Sequence, residues 1–216
     1  MIRVLIADDH PIVREGLRQV LSSADDLIVS GEAASGQEVI DAVMGDLCDV
    51  VVLDFSMPGK SGMDVVKDIR KSGRKTPILV LSMHPESELA PRLLQAGASG
   101  YLTKESAPKE LVNAIRKVAT GGKFISPALA ERIAARLDSA SRQPHEVLSD
   151  REYEVMVRLA SGKSAHDIGA ELSISVKTVR THRDRLMEKL GISNDVELVR
   201  YAIQHGIVSM PSDEKK

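Results

Sequence analysis

Aromatic side chains are nearly missing from this chain: no Trp, three Tyr and two Phe in 216 residues. That scarcity argues against a reader of single-stranded nucleic acid, whose sites rest on stacked aromatic platforms. Cysteine is as rare. Cys48 stands alone, so no internal disulfide can form, and its apolar neighbourhood predicts a buried thiol. No apolar run approaches the ~18 residues of a membrane span. The opening MIRVLIADDH has no basic segment followed by a long apolar stretch, so it does not read as a signal peptide. A cytoplasmic protein with no membrane partner is the expectation. Excess charge of one sign is also lacking: the formal net charge is −2, with 15 basic and 17 acidic residues up to residue 125 and 14 of each beyond it. Any contact with nucleic acid must therefore come from a local concentration of positive charge.

What is present divides in two. In the first half, Val4–Ala7, Leu27–Val29, Val50–Leu53 and Ile78–Leu81 are short apolar runs rich in β-branched residues, and Gly100–Thr103 is a weaker fifth. They read as strands, too short for independent helices. Helical patterns lie between and after them at Pro11–Ser22, Gln37–Met44, Gly62–Lys71, Ser87–Ala96 and Pro108–Thr120. Pro11 and Pro108 suit a first helical turn, where a missing N–H is harmless, and Gly97 suits a helix stop. Regular alternation predicts an α/β doubly wound fold, flavodoxin-like, with a five-stranded parallel sheet covered on both faces. Its functional crevice is expected at the carboxyl ends of the strands.

After Gly121-Gly122 the character changes. A helix from Ser126 to about Ser139 and a polar, irregular stretch over 141–146 read as a linker. From Leu148 to Val208 only helical periodicity remains, predicting a small all-α domain. The expected organisation is a first domain over 1–122, a linker over 123–147, a second domain over 148–208 and a flexible tail over 209–216.

On this scaffold the polar residues converge. Asp8 and Asp9 follow strand one, Asp54 ends strand three, Ser82 ends strand four and Lys104 follows strand five. Any one of them alone reads as a strand end or helix cap. Three carboxylates, a hydroxyl and an ammonium delivered by four strands to one sheet edge are harder to explain that way. Clustered carboxylates need a cation, and an oxygen-rich site with few carboxylates suits Mg²⁺.

The motifs ADDH at 7–10, LDFSMPGKSG at 53–62, LS at 81–82 and GASGYLTKESAP at 97–108 resemble the receiver domain of two-component signalling. The resemblance implies that Asp54 accepts a phosphoryl group from a phosphohistidine on a sensor histidine kinase. It implies Mg²⁺ held by Asp9, Asp54 and the backbone carbonyl of Ser56, with Asp8 assisting. Lys104 would pair with the phosphoryl group. Ser82 would hydrogen-bond one of its oxygens and draw Tyr101 inward as a switch. Met83, with His84 at the crevice rim, is bulkier than the small residue frequent there. A Mg²⁺-dependent phosphohydrolase is the enzymatic rival, disfavoured because Asp8-Asp9 departs from the Asp-x-Asp spacing of one phosphatase class. A DNA-binding protein with the first domain as a mere docking module is another.

In the second half, Ser149 is placed to cap a helix to about Ala160. Ser164–Leu172 follows, and Ser175 caps Val176–Leu190. In that last helix Val176, Val179, Leu186 and Leu190 share an apolar face, while Lys177, Arg180, Thr181 and Asp184 share another. Across Lys177–Arg185 four basic residues face one acid, Asp184. Such a stripe is usually a solvated face; after a short helix and tight turn it predicts a recognition helix for the major groove. REYEV, ASGKS, LSISVKTVRTH and KLGISNDVELVRYA resemble the DNA-binding domain of the LuxR/NarL class. This implies double-stranded DNA as partner, base contacts from Arg180, Thr181 and Asp184, and phosphate contacts from Lys177, Thr178, Arg183 and Arg185. Asp184, and Ala165-His166-Asp167 in place of Asn-Lys-Glu, depart from the pattern and suggest modest affinity supported by dimers. The final helix, Asn194–His205, offers Val196, Val199 and Ile203 either to a dimer or to the domain core. Together the halves resemble a NarL/FixJ-type response regulator: a phosphoacceptor rather than a turnover enzyme, homodimeric when phosphorylated, with RNA polymerase a candidate further partner.

Overall fold

A computed structural model describes residues 1–83, 86–106, 108–127, 129–131 and 143–208. The chain divides into two compact units, Met1–Ile133 and Ala134–Lys216. His84, the tail over 209–216 and most of the expected linker helix lie outside the described residues. The described part of that helix, residues 127 and 129–131, is helical, with Ser126 Oγ accepting from Leu129 N.

The first unit alternates β1 (Ile2–Ala7), α1 (Pro11–Ser22), β2 (Leu27–Ala33), α2 (Gly36–Met44), β3 (Val50–Asp54), α3 (Gly62–Lys71), β4 (Ile78–Ser82), α4 (Glu86–Ala96), β5 (Gly100–Thr103) and α5 (Pro108–Ala119). The strands pair in parallel in the order β2-β1-β3-β4-β5, the flavodoxin-like arrangement expected. Every residue of β3 and β4 is buried, as continuous apolar strands require when helices cover both faces. Val4, Ile6, Val52, Leu81 and Leu102 form one face, packed with Leu21 of α1 and Leu111, Ile115 and Val118 of α5. The alternate residues Leu5, Val51, Leu53, Val80 and Tyr101 are buried on the other. Each fully buried aliphatic side chain contributes roughly 1.5–3 kcal/mol. Phe124, which falls in the expected linker, instead extends the sheet edge. Its N–H donates to Ser99 O at 3.0 Å and its carbonyl accepts from Tyr101 N at 3.1 Å.

The first described element of the second unit is a 3-10 turn, Pro144–Val147, where the sequence suggests irregular chain. The turn buries His145 and brings its Nδ1 to 2.9 Å from Tyr201 Oη, giving the enclosed ring a polar partner. The helices α6 (Asp150–Ala160), α7 (Ala165–Glu171), α8 (Val176–Leu190) and α9 (Asp195–Gln204) follow. Each start is capped: Ser149 exchanges bonds with Glu152, Ser164 with Asp167, Ser175 accepts from Thr178 N, and Asn194 accepts from Glu197 N. Between α7 and α8, Ser173 takes a left-handed φ of 51°. Ile174 N donates to Gly169 O at 2.9 Å, and a Cβ on Gly169 would stand 2.8 Å from the Ile174 carbonyl oxygen. Only glycine lets the two backbones come that close. Among the described residues no helix is long and apolar enough to cross a membrane.

Candidate functional site

The strand order reverses between β1 and β3, so the loops leaving them part and open a crevice. Asp8 and Asp9 leave β1 there, and Asp54 is the last residue of β3. Asp8 is 1 % exposed and Asp54 2 %. Lys104, just beyond β5, reaches across the intervening strand end. Its Nζ donates to Asp8 Oδ2 at 2.7 Å and lies 3.0 Å from Asp54 Oδ2. The second contact is an ion pair without hydrogen-bond alignment, and Asp54 Oδ2 has no hydrogen-bond partner among the described residues. Asp54 Oδ1 accepts from Ser56 N at 3.2 Å. Burial pushes the Asp54 carboxyl above its ordinary range, and the pull of Lys104 does not fully offset it. For Lys104 burial acts downward, yet the bond to Asp8 and the negative charge of Asp54 outweigh it and hold the ammonium above its usual value.

Several groups hold this cluster in place without joining it. Arg14, on α1, donates from Nη1 to the Asp8 carbonyl at 2.7 Å and from Nε to Glu32 Oε2 at 2.9 Å. Asp8 N donates to Ala33 O at 3.1 Å. The loop after Asp54 turns tightly: Phe55 N bonds Leu81 O, Gly62 N bonds Phe55 O, and a Cβ on Gly62 would stand 2.9 Å from Phe55 Cα. Lys104 N bonds Ser82 O at 2.8 Å, tying the fourth and fifth strand ends together. Ser82 is wholly buried at the end of β4, while Met83 beside it is 69 % exposed. Tyr101 is already enclosed, at 0 % exposure, so this structure offers no outward ring for an inward swing to begin from.

A divalent cation fits this donor set. Ligand atoms of Asp8, Asp9, His10 and Asp54 all lie within 4.8 Å of one another. Among the described residues Asp9 Oδ1 and Asp54 Oδ2 are buried without hydrogen bonds, and such oxygens call for a cation. His10 is the member that the motif reading passed over, although ADDH contains it. Arg14 was equally silent, because nothing in an amphipathic helix marks which arginine turns back onto a loop carbonyl.

The second unit carries the basic stripe on α8. Val179 and Leu186 are buried; Val176 and Leu190, expected on the same face, are only partly covered. Lys177, Arg180, Thr181, Asp184 and Arg185 are exposed, and Thr178 is partly so. Thr181 Oγ1 donates to Lys177 O at 3.0 Å. Arg183 differs from its neighbours: its Nε donates to Asp195 Oδ1 at 2.8 Å, and its guanidinium lies 3.6 Å from Asp184. The stripe therefore presents fewer free cations than its residue count suggests. His182 is half-buried; burial first, then Arg151 and Arg185, push its imidazole below the usual value. On α9, Leu198 and Ala202 face the core. Val196, Val199 and Ile203 instead line an open apolar groove with Leu159 and Gly162, and Val196 is 71 % exposed.

These two sites can be set against known proteins. The response regulator receiver domain matches residues 4–116, and the luxR family of bacterial regulatory proteins matches residues 146–202. The response regulator UvrY of Escherichia coli K12 is 38% identical over 209 residues, covering 96% of each chain. The response regulator GacA of Pseudomonas aeruginosa is 36% identical over 214 residues, 98% of this chain and 100% of that one. Among solved structures, the RcsB response regulator of Salmonella typhimurium superposes with a TM-score of 0.73 at 28% identity, over 95% of this chain and 98% of that one. RcsB of Salmonella enterica serovar Typhimurium bound to promoter rprA with the phosphomimetic BeF3⁻ gives 0.68 at 30% identity, over 93% and 98%. The chain belongs to the two-component response regulators, in the NarL/FixJ-type group that joins a receiver to a LuxR-type helix-turn-helix DNA-binding domain.

Proposed function

We propose that Asp54 accepts a phosphoryl group from a phosphohistidine of a sensor histidine kinase, and that this shifts dimerisation and DNA binding by the C-terminal domain. The observation that carries the reading is the buried Asp54 carboxylate, with a lysine ammonium 3.0 Å away and two further aspartates beside it. An Asp54 oxygen attacks phosphorus, the P–N bond to the donor imidazole breaks, and its electron pair returns to that nitrogen. Asp8, Asp9, Asp54 and the Ser56 carbonyl would hold Mg²⁺, which supplies charge to neutralise the phosphoryl oxygens. Lys104 would pair with one of those oxygens, and Ser82, at the neighbouring strand end, would hydrogen-bond another. Tyr101 then responds from within the fold, by repacking.

The product is an acyl phosphate on the protein itself, so the chain acts as a phosphoacceptor and not as a turnover enzyme. The added charge biases the β4–β5 edge between two arrangements and so alters the population competent for assembly. A second copy of this chain is the partner that the open α9 groove favours, since a twofold contact would cover Val196, Val199 and Ile203 on both copies. Arg180, Thr181 and Asp184 read base edges, and Lys177, Thr178 and Arg185 position the phosphates, with Arg183 joining them only on leaving Asp195. RNA polymerase is a further partner consistent with promoter binding. The reading also favours a cytoplasmic protein.

Intact-mass spectrometry after incubation with Mg²⁺ and acetyl phosphate tests the first step. One phosphoryl group on the wild type and none on Asp54→Ala supports it. An adduct on the variant, or repeated turnover of a phosphomonoester, would sink it. Elution volume and DNA affinity compared with and without phosphorylation test the second step, which fails if both are identical.

A further inference from the structure

The imidazole of His10 is spent on neither task its position suggests. It occupies the N-cap of α1, where a short polar side chain normally bonds the first free amides, yet it makes no capping bond. Its side chain is 67 % exposed, so packing does not hold it either. What it does is turn back onto the carboxylates. Nδ1 lies 2.9 Å from Asp9 Oδ1 and 3.3 Å from Asp8 Oδ1, while its own backbone N–H bonds Asp8 Oδ1 at 2.8 Å.

The 2.9 Å contact with Asp9 is short but is not aligned as a hydrogen bond, for Asp9 Oδ1 has no hydrogen-bond partner among the described residues. Nδ1 also meets Asp8 Oδ1 at hydrogen-bond distance, and since an ionised carboxylate only accepts, the proton on Nδ1 is what a bound cation would replace. Octahedral ions with bonds of about 2.1 Å place adjacent ligands about 3.0 Å apart. Both His10 distances bracket that edge. Lys104 engages Asp8 and Asp54 through their Oδ2 atoms, leaving the Oδ1 side of Asp8 and Asp9 to the imidazole.

We propose that His10 is a further protein ligand of this cation site, and that its nitrogen biases the site toward transition-metal divalent ions over Mg²⁺. The inference rests on the metal-binding reading given above. The chemistry follows from ligand type: Mg²⁺ is served by oxygen and keeps its water, whereas an imidazole adds affinity for ions along the series from Mn²⁺ onward. Asp8, Asp9, Asp54 and Lys104 are the charged groups facing the imidazole or its carboxylate neighbours, and a bound cation is what would let three carboxylates and one ammonium coexist with it.

Pulsed electron paramagnetic resonance of Mn²⁺ bound to the full-length, untagged protein tests this, with Mg²⁺ affinity measured by competition. The wild type is expected to show ¹⁴N coupling from a directly bound imidazole, absent in His10→Ala and His10→Gln. The preference for Mn²⁺ over Mg²⁺ is expected to fall about 10-fold in both variants, the low end of what losing one supporting group costs a metal site. Bound Mn²⁺ without nitrogen coupling in the wild type, or coupling that persists in His10→Ala, overturns the role of His10 and leaves the aspartate site standing. No saturable Mn²⁺ or Mg²⁺ binding in the wild type overturns the metal site itself, and the ligand role with it.

Discussion

Lys104 Nζ stands 3.0 Å from Asp54 Oδ2, with Asp8 Oδ2 on its other side at 2.7 Å. One ammonium is thus shared by two carboxylates that are almost wholly enclosed. Removing a partner from a buried pair leaves uncompensated charge, at about 3–5 kcal/mol. Lys104 keeps some solvent contact, so Lys104→Met should lose about 3 kcal/mol in a metal chelator, read by urea unfolding. Added Mg²⁺ should recover more stability in the variant than in the wild type. Equal stability of the two proteins without metal would show that the pair contributes nothing to the fold.

Arg14 contributes through the Asp8 carbonyl and touches none of the cation-facing oxygens. A hydrogen bond from a charged group is worth about 1.5–3 kcal/mol. Arg14→Ala should therefore lower stability by about 1.5 kcal/mol and, separately, weaken Mg²⁺ binding by loosening the Asp8-Asp9 loop. Arg14→Lys should recover part of the stability but less of the Mg²⁺ affinity, since one ammonium cannot span both Asp8 O and Glu32. A Mg²⁺ titration unchanged in Arg14→Ala would remove the positioning role.

Burial pushes the Glu152 carboxyl up, but its bonds with Lys189 and with Ser149 at the head of α6 outweigh that and leave it below the usual range. A carboxyl depressed in the fold stabilises fully above its unfolded value, and that stability is lost as pH falls through the folded value. Glu152→Gln should cost about 1.5 kcal/mol near neutrality. Its deficit should shrink steadily below the ordinary carboxylate range, as seen in unfolding followed across pH. A deficit constant with pH would assign the loss to packing.

Burial pushes the Cys48 thiol up to about 11. The thiolate is the reactive form, so at mildly alkaline pH the folded protein should react with iodoacetamide at least about 10-fold more slowly than the chain in urea. Equal rates would mean that the connection before β3, which carries Cys48, opens easily.

Strands, and the carboxylates that end them, were legible because the apolar runs are short and β-branched and each polar residue follows its run directly. Ser149 and Ser175 were legible as caps for the same reason: they stand where a helical period begins. Relations across the chain were not. Phe124 follows two glycines and reads as linker, yet its backbone pairs with β5, a partner no local pattern specifies. The ion pair of Arg183 with Asp195 joins two helices through a turn; the sequence presents it as one more cation in a basic run. His10 sits inside a recognised motif, but only the direction of its ring separates a cap from a ligand. The face of α9 formed by Val196, Val199 and Ile203 was left open between core and dimer; it lines an open groove, and Leu198 and Ala202 on the other side of the helix are the residues that serve the core.

The Arg183–Asp195 pair occupies a cation that the proposed function would otherwise give to a duplex. Asp195→Ala should free it, steepening the dependence of DNA affinity on salt by about one counterion and raising affinity for any sequence. Arg180→Ala should instead lose about 1–3 kcal/mol at the preferred site and flatten discrimination there. Fluorescence anisotropy across salt concentrations separates the two, and an unchanged salt slope in Asp195→Ala would mean that Arg183 never reaches phosphate.

The closeness of Gly169 to Ile174 has a thermodynamic corollary. With the two backbones in contact across the turn, the angle between α7 and α8 is set when the domain folds. Docking on a duplex should then need no refolding of the reading unit. The heat-capacity change of association should accordingly match the surface the interface hides, without the excess that accompanies a segment ordering on contact.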